Sequence, residues 1–217
     1  MTNIERWKSL FTGLHAPAQM VEWAWYSAVA SAIERRVWIG DIERPILPSL
    51  YILFVTRPGV GKGNVLREVQ SILRSQVRVN GDAVTPAVNI GPDSTNYADL
   101  MQMLGANQRK VKLPEGTTLH GRQEFGYASV SFILDELLTL LKKDSDDLVT
   151  FLLQGYMGVP HFKSTKHHGK DRYDACCVNL LACTTPDQIQ KLAKMARSEE
   201  HTSELQSRLH LVCRLLL

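Results

Sequence analysis

Residues Leu50 to Gly63 read LYILFVTRPGVGKG, and the fold follows from how that stretch divides. Leu50 to Val55 is a short, β-rich apolar run without alternation, the pattern of a strand buried on both faces. Thr56 to Gly63 is a turn rich in Gly and Pro. Beyond it Val65, Leu66, Val69, Ile72 and Leu73 fall on one face of a helix. In a strand–glycine turn–helix unit, successive backbone N–H groups can point at one anion while the new helix presents its positive end. Gly59, Val60, Gly61 and Gly63 would offer those amides, and Lys62 would reach the β- and γ-phosphates of a nucleotide. A Gly/Pro turn with a chance lysine is the alternative, and the strand before and amphipathic helix after speak against it.

The turn departs twice from the phosphate-loop pattern G-x-x-x-x-G-K-[ST]. Thr56 stands at the first glycine, and Gly63 stands where a hydroxyl residue normally helps to hold Mg²⁺. Asn64 follows, and it can offer only an amide oxygen. The loop resembles that of adenylate kinases, which also carry Gly-Lys-Gly and still support phosphoryl transfer. The expected cofactor-binding set is Pro58, Gly59, Val60, Gly61, Lys62, Gly63 and Asn64, with ATP and Mg²⁺ as its ligands.

Working outward, Pro17 to Arg36 is expected to be a helix. Pro17 suits a first helical position, and Met20, Trp23, Ala24, Ala28 and Ile33 recur at near-helical spacing. The Pro-bearing link ERPILPS ends it. Ala87 to Ile90 reads as a weaker strand, leading through Gly91-Pro92-Asp93-Ser94 into a helix over Thr95 to Leu104. Lys110 to Tyr127 reads as a loop or hairpin. Ser129 to Leu134 is a strong strand, followed by helices over Leu137 to Leu141 and Leu148 to Gln154. Cys177 to Cys183 is a last strand, with a helix after it. This alternation predicts an α/β fold, a parallel sheet flanked by helices, with sites at the carboxyl ends of the strands.

Two of those ends carry chemistry. Asp135-Glu136 closes the Ser129–Leu134 strand. A carboxylate there can hold Mg²⁺, usually through water, and a following Glu can act as general base on an attacking water. As alternatives, Asp135 caps the next helix and Glu136 occupies its first turn. An intervening strand–helix unit between Lys62 and Asp135 suits the additional-strand class of P-loop NTPases. Thr184-Thr185 closes the last strand, where a polar residue can reach a γ-phosphate or the attacking water. Thr184 is the candidate, with a helix N-cap as its alternative role. The catalytic set is thus Lys62, Glu136 and Thr184, and the metal ligand is Asp135.

Composition narrows the class. Lys+Arg number 25 against 22 Asp+Glu, so charge alone does not mark a nucleic-acid binder. Hydrophobic residues at 44% argue for a globular chain rather than a disordered one. The first ten residues lack the signal-peptide pattern, and the most apolar early stretch, Met20 to Ile33, is too short to cross a bilayer. Cys176, Cys177, Cys183 and Cys213 form no CxxC pair, which suits buried thiols in a reducing, cytoplasmic setting. Trp7, Trp23, Trp25 and Trp38 are expected to pack in the core or between domains. Residues 197–217 open with RSEEHTSELQS, which looks like a translated sequencing adapter. On that reading the chain divides into a helical lead-in (1–45), an incomplete P-loop core (46–196) and a non-native tail, with an amphipathic terminal helix as the alternative.

Taken in order, YILFVTRPGVGKG, SFILDELLTLL and VNLLACTTPDQIQKL resemble the helicase-type ATPase domain of phage and plasmid primase–helicase proteins. The resemblance spans roughly Leu10 to Ala196. It implies a RecA/AAA+-like core, ATP hydrolysis coupled to DNA replication, and a ring homo-oligomer. Such rings supply an arginine to the neighbouring subunit's phosphate, a role for which Arg172 is a poor match. The run HFKSTKHHGKDR could track a DNA backbone through Lys163, Lys166, Lys170 and Arg172, or form a solvated turn. His167-His168 lack helical metal-pair spacing. Two other functions fit the residues: a nucleoside monophosphate-type kinase, favoured by Gly-Lys-Gly, and a nucleotide-binding regulatory subunit with little turnover, favoured by the missing hydroxyl.

Overall fold

The computed structural model describes residues 1–41, 45–80, 83–118, 121–141, 145–158, 161–165, 169–173 and 175–190. In chain order these form α1 (Asn3–Leu10), α2 (Ala18–Ile33), β1 (Tyr51–Val55), α3 (Lys62–Ser75), β2 (Val77–Asn80), β3 (Ala83–Pro86), α4 (Tyr97–Ala106), β4 (Arg109–Lys112), β5 (Glu124–Leu134), α5 (Leu137–Leu141), α6 (Ser145–Met157), β6 (His161–Thr165), β7 (Gly169–Tyr173) and β8 (Cys176–Thr184). A helical turn over 186–190 follows β8. The main sheet has the order β1-β8-β5-β4. β8 pairs in parallel with β1 and with β5, while β4 pairs antiparallel with β5. The fold is thus α/β with a mostly parallel four-stranded sheet, as the alternation predicts.

The sheet is covered on both faces, which is why its central strands are continuous apolar runs. On one face Val130, Phe132 and Leu134 of β5 and Val178, Leu180 and Ala182 of β8 pack against α4, α5 and α6. On the other, Ile133, Leu181 and Cys183 pack against α2 and α3, with Trp7 and Phe11 from the α1 end. The residues of β1 are only half-buried, since that strand forms an edge of the sheet. Local signals set the helix ends. Asn96 caps α4 by accepting from the Asp99 amide at 2.8 Å, and Thr2 and Glu5 make a reciprocal capping box on α1.

Several expectations need correction. Ala87 to Ile90 makes only a single parallel bridge, Ile90 to Ser131. Before it stands an unforeseen hairpin, β2–β3, with Val77, Val79 and Val84 exposed. β5 begins at Glu124 rather than Ser129, because its first four residues pair with β4. The HFKSTKHHGKDR run lies mainly in an antiparallel ribbon, β6–β7, with Lys166, His167 and His168 outside the described residues. Trp7 is buried, but Trp23 is solvent-exposed and stacks edge-on against Tyr26 at 5.5 Å. The 197–217 tail and Cys213 also lie outside the described residues. Cys176, Cys177 and Cys183 are buried, free thiols.

One buried carboxylate fastens the lead-in to the sheet. Glu34, at the end of α2, accepts from the Tyr127 hydroxyl at 2.6 Å and the Ser129 hydroxyl at 2.7 Å, and pairs with Arg109 and, at 3.4 Å, Arg78. Its φ of +52° is a strained value for a residue with a side chain, and the network holds it there. Next to it, Arg35 donates to the carbonyls of Gly158 and Cys176, both at 3.0 Å, and burial lowers its pKa. Both anchors lie near the start of β5 and β8. At about 3.3 Å per residue they stand some 20 Å from the carboxyl ends of those strands.

Candidate functional site

The carboxyl ends of β1, β8 and β5 point the same way, so the residues that follow them gather at one end of the sheet. After β1 the Thr56 amide donates to the Thr184 carbonyl at 3.1 Å, tying the start of the turn to β8. Gly59 and Gly61 take φ of +87° and +81°, the left-handed region that glycine enters without strain. Gly61 is needed for a second reason, since a Cβ there would overlap the carbonyl oxygen of His15. The connector between α1 and α2 therefore lies directly on the turn. α3 starts at Lys62, and its N-cap Gly61 supplies no side-chain hydrogen bond. First-turn amides are left without a side-chain cap, beside a half-buried Lys62 with no ion-pair partner among the described residues.

Asp135 and Glu136 follow β5 directly, and Thr184 ends β8 between them and the turn. The fully buried Thr184 hydroxyl donates to Glu136 Oε1 at 2.8 Å. Asp135 is exposed, with no hydrogen-bond or ion-pair partner among the described residues. It faces the turn: a Cβ on Gly63 would sit 3.4 Å from Asp135 Oδ1 and 3.6 Å from Oδ2. The buried Cys183 thiol senses the same convergence. Burial pushes its pKa up to about 12; Lys62 works against that rise, while Asp135 and Glu136 add to it.

Chemically, this arrangement sets a lysine and a helix N-terminus against two carboxylates from the neighbouring strand end. Lys62 and the amides suit an anion. Asp135 is free to take a hard cation directly or through water. Glu136 is held through one oxygen, leaving the other to accept a proton. A further feature escaped the sequence reading: the buried Thr56 hydroxyl has no hydrogen-bond partner among the described residues. Only the packing of the turn against β8 creates that situation, so no local pattern announces it.

The predicted residues divide clearly. Gly59, Gly61, Lys62, Gly63, Asp135, Glu136 and Thr184 share this end of the sheet. The Asn64 amide oxygen accepts from Arg67, one helical turn on, at 2.6 Å, which ties it to the surface of α3. Thr185 takes the capping place before the 186–190 turn, its carbonyl accepting from the Gln188 and Ile189 amides at 3.1 Å. That leaves Thr184 to the site. For Lys163, Lys170 and Arg172, the structure describes only their places in the β6–β7 register, opposite Asp171, Ser164 and Phe162. No protein-family model matches the chain, and no curated protein does either.

Proposed function

We propose that this chain binds and hydrolyses ATP as a P-loop domain of the additional-strand type, the motor of a DNA replication primase–helicase-like protein. The observation that carries the reading is the order β1-β8-β5. It sets the glycine turn, Thr184 and Asp135-Glu136 side by side, with Gly63 against Asp135. Lys62 and the turn's amides would bind the β- and γ-phosphates, in a setting where preorganised donors count for more than in water. Asp135 would hold Mg²⁺, which supplies charge neutralisation on the phosphates. Glu136, oriented by Thr184, would take a proton from the attacking water. The water oxygen bonds to the γ-phosphorus while the bond to the bridging oxygen breaks, and ADP leaves with that electron pair.

The hydrogen bond from Thr184 to Glu136 favours hydrolysis over transfer to a second substrate, because it fixes a carboxylate suited to activating water. The DNA partner and the ring rest on the resemblance and on the basic run around β6–β7. ATP turnover measured with and without single-stranded DNA tests the whole reading, which expects stimulation several-fold. Phosphate transfer to a nucleoside monophosphate would replace it with the kinase reading. Tight binding without turnover in the full-length protein would replace it with the regulatory one.

A further inference from the structure

Thr56 opens the glycine turn, and its amide continues the β1–β8 ladder by donating to the Thr184 carbonyl at 3.1 Å. Side chains alternate along a strand, so Thr56 falls on the face of Ile52 and Phe54, which pack with Cys183 against α2 and α3. There its hydroxyl oxygen is buried with no hydrogen-bond partner among the described residues. An unmade hydrogen bond at a buried hydroxyl is destabilising, and valine would fill much the same space without that penalty. The complementary group stands at the other end of the turn. Lys62 is half-buried at the start of α3, and its ammonium has no hydrogen-bond or ion-pair partner among the described residues. Cys183 brings the two together. Its buried thiol packs on the Thr56 side of the sheet and lies within reach of the Lys62 charge. An acceptor without a donor and a three-proton donor without an acceptor thus meet at the root of one turn.

We propose that the Thr56 hydroxyl seats the Lys62 ammonium when a nucleotide binds: it accepts one N–H as the phosphates draw the lysine over the turn, and so aims the other two at phosphate oxygens. The inference rests on the nucleotide reading above and adds a positioning residue to it, one that acts through Lys62 and touches no phosphate itself. A lysine is a compact charge on a flexible four-carbon stem, so a fixed acceptor at the root of the turn gives it a direction that the stem does not. The bond also completes the Thr56 hydroxyl, which adds to the free energy favouring the bound state.

Calorimetric titration of the full chain with ADP in EDTA tests the idea, beside Thr56→Val, Thr56→Ser and Lys62→Ala, with melting midpoints of each protein measured without ligand. Thr56→Val should weaken ADP binding about tenfold, the worth of one hydrogen bond to a charged group, and keep a midpoint level with or above wild type. Thr56→Ser restores the hydroxyl and should bind within about threefold of wild type. A Thr56→Val loss smaller than about threefold would overturn the proposal, as would a loss that Thr56→Ser does not recover. A lowered midpoint or failure to fold in Thr56→Val would also overturn it, because the hydroxyl would then serve the fold and not the lysine. ADP binding by the wild type, lost in Lys62→Ala, separates the two levels. Its absence overturns the nucleotide reading and this inference with it, whereas its presence with an unchanged Thr56→Val overturns the inference alone.

Discussion

Replacing Thr184 by Val removes one hydroxyl and keeps the shape of a side chain that is wholly buried at the end of β8. Among the described residues, the side-chain hydrogen bond lost is the one to Glu136 Oε1 at 2.8 Å. Hydrogen bonds to charged groups contribute about 1.5–3 kcal/mol. Glu136 is half-exposed and can recover part of that from water, so the lower half of the range applies. At about 1.4 kcal/mol per factor of ten, the turnover number should fall roughly 10- to 40-fold. ATP affinity should stay within twofold, since Lys62 and the glycine turn are untouched. Thr184→Ser should recover most of the rate by restoring the donor. Steady-state phosphate release, paired with calorimetric binding, reads both quantities. An unchanged rate in Thr184→Val, or a loss confined to affinity, would refute the assignment of Thr184 as the residue that positions Glu136.

Glu34→Ala should destabilise the fold by about 3–5 kcal/mol, because it removes the carboxylate that pairs with the half-buried Arg109 and accepts from the buried Tyr127 and Ser129 hydroxyls. Glu34→Gly should lose less, since glycine relieves the φ of +52°, and urea unfolding would rank the two. Gly61→Ala should abolish nucleotide binding and lower the melting temperature, because it meets both a left-handed φ of +81° and the His15 carbonyl. Gly59→Ala meets the first problem but has nothing within 4 Å of its Cβ, so a calorimetric comparison should find it milder. Alkaline pH should weaken the protein. The Cys177 and Cys183 thiols are raised from 9.0 to about 11 and about 12, chiefly by burial, so the unfolded chain ionises first. Stability is therefore intact below pH 9 and falls above it by up to about 1.4 kcal/mol per pH unit for each thiol, a slope that Cys177→Ala should reduce in urea midpoints at pH 8, 9 and 10.

Much of the fold was legible because its signals are local. The apolar runs of β1, β5 and β8 and the helical face of Val65, Leu66, Val69 and Leu73 need no tertiary information, and all appear where the spacing puts them. The β2–β3 hairpin was not legible, since its valines face solvent and no buried face marks its period. The early start of β5 depends on pairing with β4, a contact across a turn that composition disguises. At the site, Lys62, Asp135 and Thr184 were readable as strand-end residues. The rotation of Asn64 toward Arg67, the seat of His15 on Gly61 and the orphaned Thr56 hydroxyl arise only in three dimensions. Trp23 stands on the exposed side of α2, although its helical spacing resembled that of core positions.

The central claim is that Lys62 and the glycine turn form a nucleotide phosphate site, and thermal unfolding with and without MgATP tests it most directly. At a ligand concentration near 100 times Kd, binding should stabilise the native state by about 2.7 kcal/mol. For a chain of this size that raises the midpoint by roughly 5–11 °C. The account predicts such a rise in the wild type and none in Lys62→Ala, with both proteins sharing the same midpoint when no ligand is present. An equal rise in both proteins, or none in the folded wild type, would contradict it.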